Sequence, residues 1–258
     1  MVKFCVLASG SCGNSAFLAT GRTRILIDAG LSLRDLCKRL QSIEECYERL
    51  DAILITHEHS DHVAGLLRLL RKCKFQIPVY LTRLTAPEID WESSEPRMEL
   101  FQAGVSFTIG DIEVSSFSIP HDARDPVGFC FKAEGVRVGV ATDLGYIPDS
   151  LRFHLRGVDL LLLEANHDIE MLKVGPYPWV VKQRVMGRRG HLSNDVVCEY
   201  VERDLDRSTG TLILGHLSEH NNHPELVRMR AAASLEQRGH AARLVVAEQA
   251  QPTEVFAF

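Results

Sequence analysis

Thr56-His57-Glu58-His59-Ser60-Asp61-His62 places four metal-ligand candidates, His57, His59, Asp61 and His62, within six residues, directly after the compact apolar run 52–56. Residues 63–72 then carry Leu66, Leu67, Leu69 and Leu70 on one helical side, so the local order is strand, polar loop, helix. In an extended segment side chains alternate, so His57 and His59 project together while Asp61 and His62 turn toward a neighbouring point. Two adjacent cations are the natural occupants. Further candidates stand where strands are predicted to end: His121, Asp143 and His216. Strand-end loops on a rigid scaffold are where chemistry is placed. A lone histidine is usually a surface or helix-capping residue, but so many donors of one type are not. Nitrogen and oxygen donors without cysteine suit zinc, manganese or iron.

The rest of the chain is built to hold such a loop rigidly. With 258 residues, 45% apolar and 24% charged, it buries about three-quarters of its unfolded surface, enough for a large core. Residues 3–8, 15–20 and 24–28 read as strands separated by Ser/Gly/Asn turns, hence antiparallel hairpins, with 9–15 a tight turn. A helix over 33–40 follows, then strands over 79–81, 98–101, 112–119, 129–133 and 136–142. From Leu160 strands alternate with helices: strands at 160–164, 211–214 and 244–247, helices near 182–186, after Ser193 and over 225–237. The class is α/β. No Gly/Pro/Ser-rich linker divides the chain, which predicts one domain over residues 1–258. The seven cysteines form no C-x-x-C pair, arguing against a disulfide framework or a cysteine zinc knuckle and for a reducing cytoplasm. The N-terminus lacks a secretory h-region. No apolar run approaches the roughly 20 residues that span a bilayer, so no membrane partner is expected.

H-x-H-x-D-H at residues 57–62, Asp28 closing an earlier strand, and then His121, Asp143 and His216 in that order resemble the five motifs of the metallo-β-lactamase fold. The resemblance implies a four-layer αββα sandwich over nearly the whole chain. It implies His57, His59 and His121 on one ion, Asp61, His62 and His216 on a second, and Asp143 bridging them. Asp28 would orient the ligands, since a carboxylate accepting an imidazole N–H fixes its tautomer and raises its basicity. Two divalent ions, zinc or manganese, would lower a bound water's pKa toward about 7 and clamp the oxygens of a displacement at phosphorus. Hydrolysis is therefore expected. The redox use of this scaffold, as in flavodiiron proteins, has a carboxylate where His59 stands and needs a flavin domain that this chain has no room for.

The second half narrows the substrate. Leu162-Leu163-Glu164-Ala165-Asn166-His167-Asp168, Gly175-Pro176-Tyr177-Pro178-Trp179 and Gly190-His191-Leu192-Ser193-Asn194, with residues 9–15, 121–128 and 216–225, resemble the bacterial YycJ/WalJ branch, exonucleases of duplex DNA. The resemblance implies a 5′ to 3′ exonuclease on double-stranded DNA that uses a metal-bridging hydroxide. The alternatives are an RNA-processing or small phosphodiester hydrolase, and, from another class, a metal-containing nucleic-acid-binding regulatory module. His220 stands where the branch is expected to have an acid, and is a competitor to His216; His167 rests on the resemblance alone.

Glu164 and His191 resemble the pair that assists leaving-group departure in tRNA 3′-processing nucleases; with Asp61 they are the catalytic candidates. The plainer alternatives are a strand-end carboxylate capping a turn and a residue preceding a helix start at Ser193. The chain's net charge is −5, yet residues 173–190 contain Lys173, Lys182, Arg184, Arg188 and Arg189 and no acid. Such a patch is felt locally because screening sets in over about 8 Å. Lys182, Arg184 and Arg188 are therefore candidate phosphate contacts, with Asn14 a candidate rim donor. The similarly acid-free 63–87 reads as a solvated face, and Tyr177 and Trp179 read as packed aromatics before stacking platforms. His154, His223 and His240 receive no role.

Overall fold

Strands buried on both sides account for the architecture. The computed structural model describes residues 1–258. Its first sheet holds β1 (Lys3–Ala8), β2 (Ser15–Ala19), β3 (Arg24–Ile27), β4 (Ala52–Leu54), β5 (Val79–Thr82) and β6 (Met98–Phe101). The second holds β7 (Ser106–Ile109), β8 (Ile112–Ser118), β9 (Val127–Ala133), β10 (Val136–Ala141), β11 (Leu160–Glu164), β12 (Thr211–Gly215) and β13 (Arg243–Val246). The two-residue β14 (Phe256–Ala257) closes the first sheet on β1, so each sheet has seven strands. Each sheet starts as an antiparallel meander and continues parallel: β3 to β6 in one, β10 to β13 in the other.

Alternate residues of each strand face opposite ways, and the burial follows that period. Phe4, Val6, Leu160, Leu162 and Ile213 meet between the sheets. Cys5, Leu7, Leu26 and Ile53 lie on the outer side of the first sheet, under Leu36 and Leu40 of α1 (Leu33–Ser42). Leu161, Leu163, Leu212 and Leu214 lie outside the second, under helices introduced below. Helix, sheet, sheet, helix is the expected αββα layering.

The 63–72 helix differs from expectation. It is two pieces, α2 (Ser60–Val63) and α3 (Leu66–Lys72), parted at Gly65. A Cβ at Gly65 would sit 1.9 Å from the Leu31 carbonyl oxygen, so the chain bends where its backbone touches that turn. Over the second sheet lie α4 (Asp149–His154), α7 (Asn194–Arg203) and α8 (Pro224–Arg238), while α5 (Ile169–Val174) and α6 (Trp179–Val185) belong to the connection from β11 to α7. Ser193 caps α7, accepting from the Val196 N–H at 3.3 Å, which is why that helix starts there. Not legible in the sequence were β7, β14, α4 and α5, none longer than six residues. The β1–β2 connection is a hairpin as expected, but residues 9–14 form a longer loop rather than a tight turn.

Candidate metal centre

The site forms where the parallel strands of both sheets end. Asp28 follows β3, His57 and His59 follow β4, Asp143 follows β10, Glu164 ends β11 and His216 follows β12. Asp28, Asp143 and His216 have φ of 58°, 63° and 55°, the left-handed region that costs a non-glycine residue about 1–2 kcal/mol. That cost is borne where the turn must aim a side chain back over the strand ends. The backbone is anchored there: Asp28 N–H donates to Leu54 O at 2.8 Å, and His216 N–H to Ser9 Oγ at 2.7 Å.

Asp28 orients two histidines. His62 Nδ1 lies 2.8 Å from Asp28 Oδ2, and Thr56 Oγ1 donates to the same oxygen at 2.9 Å. Thr56 Oγ1 is in turn 3.0 Å from His57 Nδ1, and the Thr56 N–H donates to Asp28 Oδ1 at 2.8 Å. With both Nδ1 atoms turned to this relay, Nε2 of His57 and of His62 face inward; His57 Nε2 has no partner and His62 Nε2 lies 3.1 Å from Asn14 Nδ2. Nothing in the sequence pattern marks Thr56 except its position immediately before His57. His121 follows the same logic, with Nδ1 3.1 Å from Gly190 O and Nε2 3.3 Å from His59 Nδ1.

Four overlapping donor groups result, each with ligand atoms within 4.8 Å of one another: two are His57, His59 and His121, and Asp61, His62 and His216; a third joins His57 and His62 to Asp143, and the fourth is Asp143, Glu164, His191 and His216. Asp143 stands between, with Oδ1 3.7 Å from His121 Nε2 and Oδ2 3.3 Å from His62 Nε2. His57 Nε2 and Asp143 Oδ2 are buried without a hydrogen-bond partner. Orphaned polar atoms of this kind are costly unless something pairs with them. Bare imidazole nitrogens and carboxylate oxygens converging on shared points are the donor set that divalent cations take, so the residues fit such ions.

The donors differ in charge. Burial pushes the His57 pKa well below its usual value, favouring the neutral imidazole that a cation needs. Burial also opposes charge on His62 and His216, but Asp143 and Asp28 outweigh it at His62 and hold its pKa well above the usual value, and Asp143, Asp61 and Glu164 push that of His216 up to about 10. A cation held there would take the place of a proton.

Glu164 is buried and bonded on both oxygens. Oε1 lies 2.8 Å from His191 Nδ1 and 2.8 Å from His216 Nδ1, and Oε2 accepts from Leu144 N and Leu192 N at 2.8 and 2.9 Å. Burial raises its pKa, but His191 and His216 more than offset this and hold it low. The His191 pairing matches the expectation; the His216 pairing was not legible in the sequence. The His191 side chain is 22% exposed, the open end of an otherwise buried group.

The H-x-H-x-D-H loop is docked on the β1–β2 hairpin. Asn14 N–H donates to Asp61 O at 2.7 Å, and Gly30 N–H to Asn14 O at 3.0 Å. A Cβ at Gly30 would lie 1.7 Å from Asp61 O, so only glycine permits the approach. Asn14 Nδ2 points to Asp61 Oδ2 at 3.0 Å and its Oδ1 accepts from Gly10 N, which places this residue inside the metal periphery rather than on the rim.

Over the clusters lies a pocket of about 350 Å³, walled by Ser11, Asn166, Tyr177, Arg184, His191 and Ser218. Arg184 is paired with Asp122. Lys182 departs from expectation: it is buried, and its ammonium donates to Lys173 O at 2.7 Å, closing the end of α5 instead of meeting solvent. Arg188 lies beside the pocket, 4.3 Å above the Tyr146 ring. Trp179 is 61% exposed, contrary to the packed reading. His220 is exposed against Tyr177, with ring centroids 6.0 Å apart, and belongs to no donor group; nor does His167.

Residues 23–217 match the Beta-lactamase superfamily domain. The chain is 40% identical to Exodeoxyribonuclease WalJ of Streptococcus pneumoniae over 91% of its length and 88% of the relative's. It is 36% identical to Exodeoxyribonuclease YycJ of Bacillus anthracis, covering 92% of this chain and 90% of that one. Among solved structures it superposes on the metallo-β-lactamase fold protein YhfI of Bacillus subtilis with a TM-score of 0.72 at 18% identity, over 98% and 99% of the two chains. The short form of human tRNase Z gives 0.66 at 17% identity, over 98% of each chain. Those two likenesses carry the fold, and the two curated relatives carry the branch. The chain thus belongs to the β-lactamase superfamily, as a metallo-β-lactamase-fold protein of the branch that contains WalJ and YycJ.

Proposed function

We propose that the protein is a phosphodiesterase with two divalent cations, zinc or manganese, that removes nucleotides from the 5′ ends of duplex DNA. The observation that carries hydrolysis at phosphorus is the His191–Glu164 pair set beside the donor clusters. The names of the WalJ and YycJ relatives support DNA as substrate, and the resemblance to their branch supports the polarity.

His57, His59 and His121 would hold one cation, Asp61, His62 and His216 the other, with Asp143 shared. Such a pair supplies Lewis acidity at a phosphoryl oxygen and a water made acidic enough to ionise near neutral pH. The chain's residues do the rest. Asp28 and Glu164 fix the imidazoles, so the donors need no reorganisation during reaction. Asp61, turned toward the pocket from its place in the second cluster, would orient the attacking water. His191 donates its Nδ1 proton to Glu164 Oε1, leaving Nε2–H to face the pocket and protonate the departing sugar oxygen. Transfer of that kind is worth about 10² to 10⁴ in rate. Arg184, steadied by Asp122, would meet a phosphate oxygen. Asn14 would steady Asp61 instead of reaching substrate, and Lys182 takes no part.

The open pocket and part-exposed His191 favour a catalytic centre over a closed structural one. All seven cysteines are free, which supports a reducing, cytoplasmic setting, and no helix is long and apolar enough to cross a membrane. Product analysis on a duplex labelled at either end, with RNA and single-stranded DNA beside it, tests the reading. Mononucleotides released from the 5′ end of the duplex are expected; preferential RNA cleavage or an inert duplex would overturn it.

A further inference from the structure

Two hollows adjoin the catalytic pocket, and they are opposite in charge. One, of about 420 Å³, shares Ser11 and Ser218 with it and carries Glu219 and Glu248 with no lysine or arginine. The other, of about 440 Å³, shares His121 and carries Arg124, Arg188 and Arg189 against a single acid, Asp125.

The cationic hollow is part of the same built unit as the donor clusters. Its walls are residues 118–126 and the turn after α6. Arg189 Nε donates to His121 O at 3.0 Å, tying that turn to a metal-ligand candidate. Gly145 lets the two walls close, since a Cβ there would fall 2.2 Å from the Arg188 backbone. The Arg188 guanidinium is seated 4.3 Å above the Tyr146 ring, which fixes its plane and leaves its N–H edge to solvent. Of the three guanidinium groups only Arg124 approaches a carboxylate, Glu88 at 3.8 Å. Arg189 gives Nε and Nη2 to the His121 and Ala123 carbonyls, so Arg188, with Arg124 in the same concavity, presents the open planar donors that match phosphate oxygens, and in a chain of net charge −5 this is a local exception.

A pocket of about 350 Å³ is at the small end of ligand sites, room for one nucleotide unit and not for a strand. Of the two adjoining hollows, the carboxylates of the first repel a strand's phosphates and the guanidinium groups of the second attract them. We infer that the Arg124–Arg188–Arg189 groove is the track of the retained DNA strand, holding the phosphates next to the scissile one. This rests on the nuclease reading above and adds the direction in which substrate lies across the centre.

Fluorescence anisotropy of a phosphorothioate-protected duplex, titrated with the metal-loaded protein at several salt concentrations, tests it. Arg124→Ala and Arg188→Ala are the variants; Arg189 is left intact because its replacement would also move His121. Each is expected to weaken binding by about tenfold and to lower the slope of log affinity against log salt by about 0.9 for each phosphate that is no longer neutralised. Arg97→Ala, at the opposite end of the sandwich beside Asp111, is the control and leaves both unchanged. Affinity and slope equal to wild type in both groove variants would overturn the track. Wild-type protein that leaves an unprotected duplex intact overturns the nuclease reading instead, while the binding arm still decides the groove.

Discussion

Glu164 Oε1 lies 2.8 Å from Nδ1 of His216, the same oxygen that takes His191. One carboxylate therefore positions both a proposed cation ligand and the proposed proton donor. Glu164→Gln removes the charge and sets an NH2 group either against the two imidazole Nδ1 atoms or against the Leu144 and Leu192 N–H groups, all of which the carboxylate serves. It is expected to weaken the cation at Asp61, His62 and His216 by about 10- to 100-fold and to slow turnover by at least the 10² to 10⁴ of acid catalysis. Metal content and turnover measured together check it.

His191→Ala separates the two roles. His191 is placed outside the proposed ligand sets, so the variant should keep the metal content of wild type while turnover falls by about 10² to 10⁴. Loss of metal in this variant would assign His191 to the cations instead.

The relay from Asp28 makes a similar statement about His57 and His62. Asp28→Asn can keep the Thr56 N–H contact through its carbonyl, but its NH2 group then replaces the oxygen that accepts from Thr56 Oγ1 and faces His62 Nδ1. Weaker metal binding, by about 10- to 100-fold, with little change in thermal stability of the metal-free chain, is the expected result; isothermal titration of the cation reads it.

Far from the site, Asp111 ties the second sheet to the first, accepting from Thr20 Oγ1 at 2.8 Å and Thr23 Oγ1 at 2.7 Å. The Thr23 hydroxyl holds its carboxyl below the ordinary value of 3.8. A depressed carboxyl stabilises the fold above its unfolded pKa and loses that contribution as pH falls through the folded one. Asp111→Ala should thus lower the melting temperature by on the order of 4 °C near pH 7, with the gap to wild type narrowing below about pH 4 and metal content untouched. Calorimetry across that range decides it.

The candidate donors were legible as polar residues in the loop after β4 or at strand ends, while their allocation to two cations and the orienting role of Asp28 came with the family resemblance. The left-handed turns that aim Asp28, Asp143 and His216 are a property of the backbone. The Thr56 relay, the second bond of Glu164 and the inward turn of Asn14 depend on which loops meet, and residues far apart in the chain decide that. Lys182 shows the limit of charge counting: its neighbours in sequence are exposed cations, but the pairing of α5 with α6 turns its ammonium onto the Lys173 carbonyl. Gly65 broke an apparently continuous helix for the same reason, an approach to Leu31 that helical periodicity does not register.

The paired centre itself is most directly tested by titrating manganese or zinc into chelator-stripped protein while following bound equivalents and release of nucleotide from duplex DNA. Saturation at two equivalents per chain is expected, with turnover appearing as the second site fills. Saturation at one equivalent with full activity, or activity that survives in stripped protein, would rule out the paired centre.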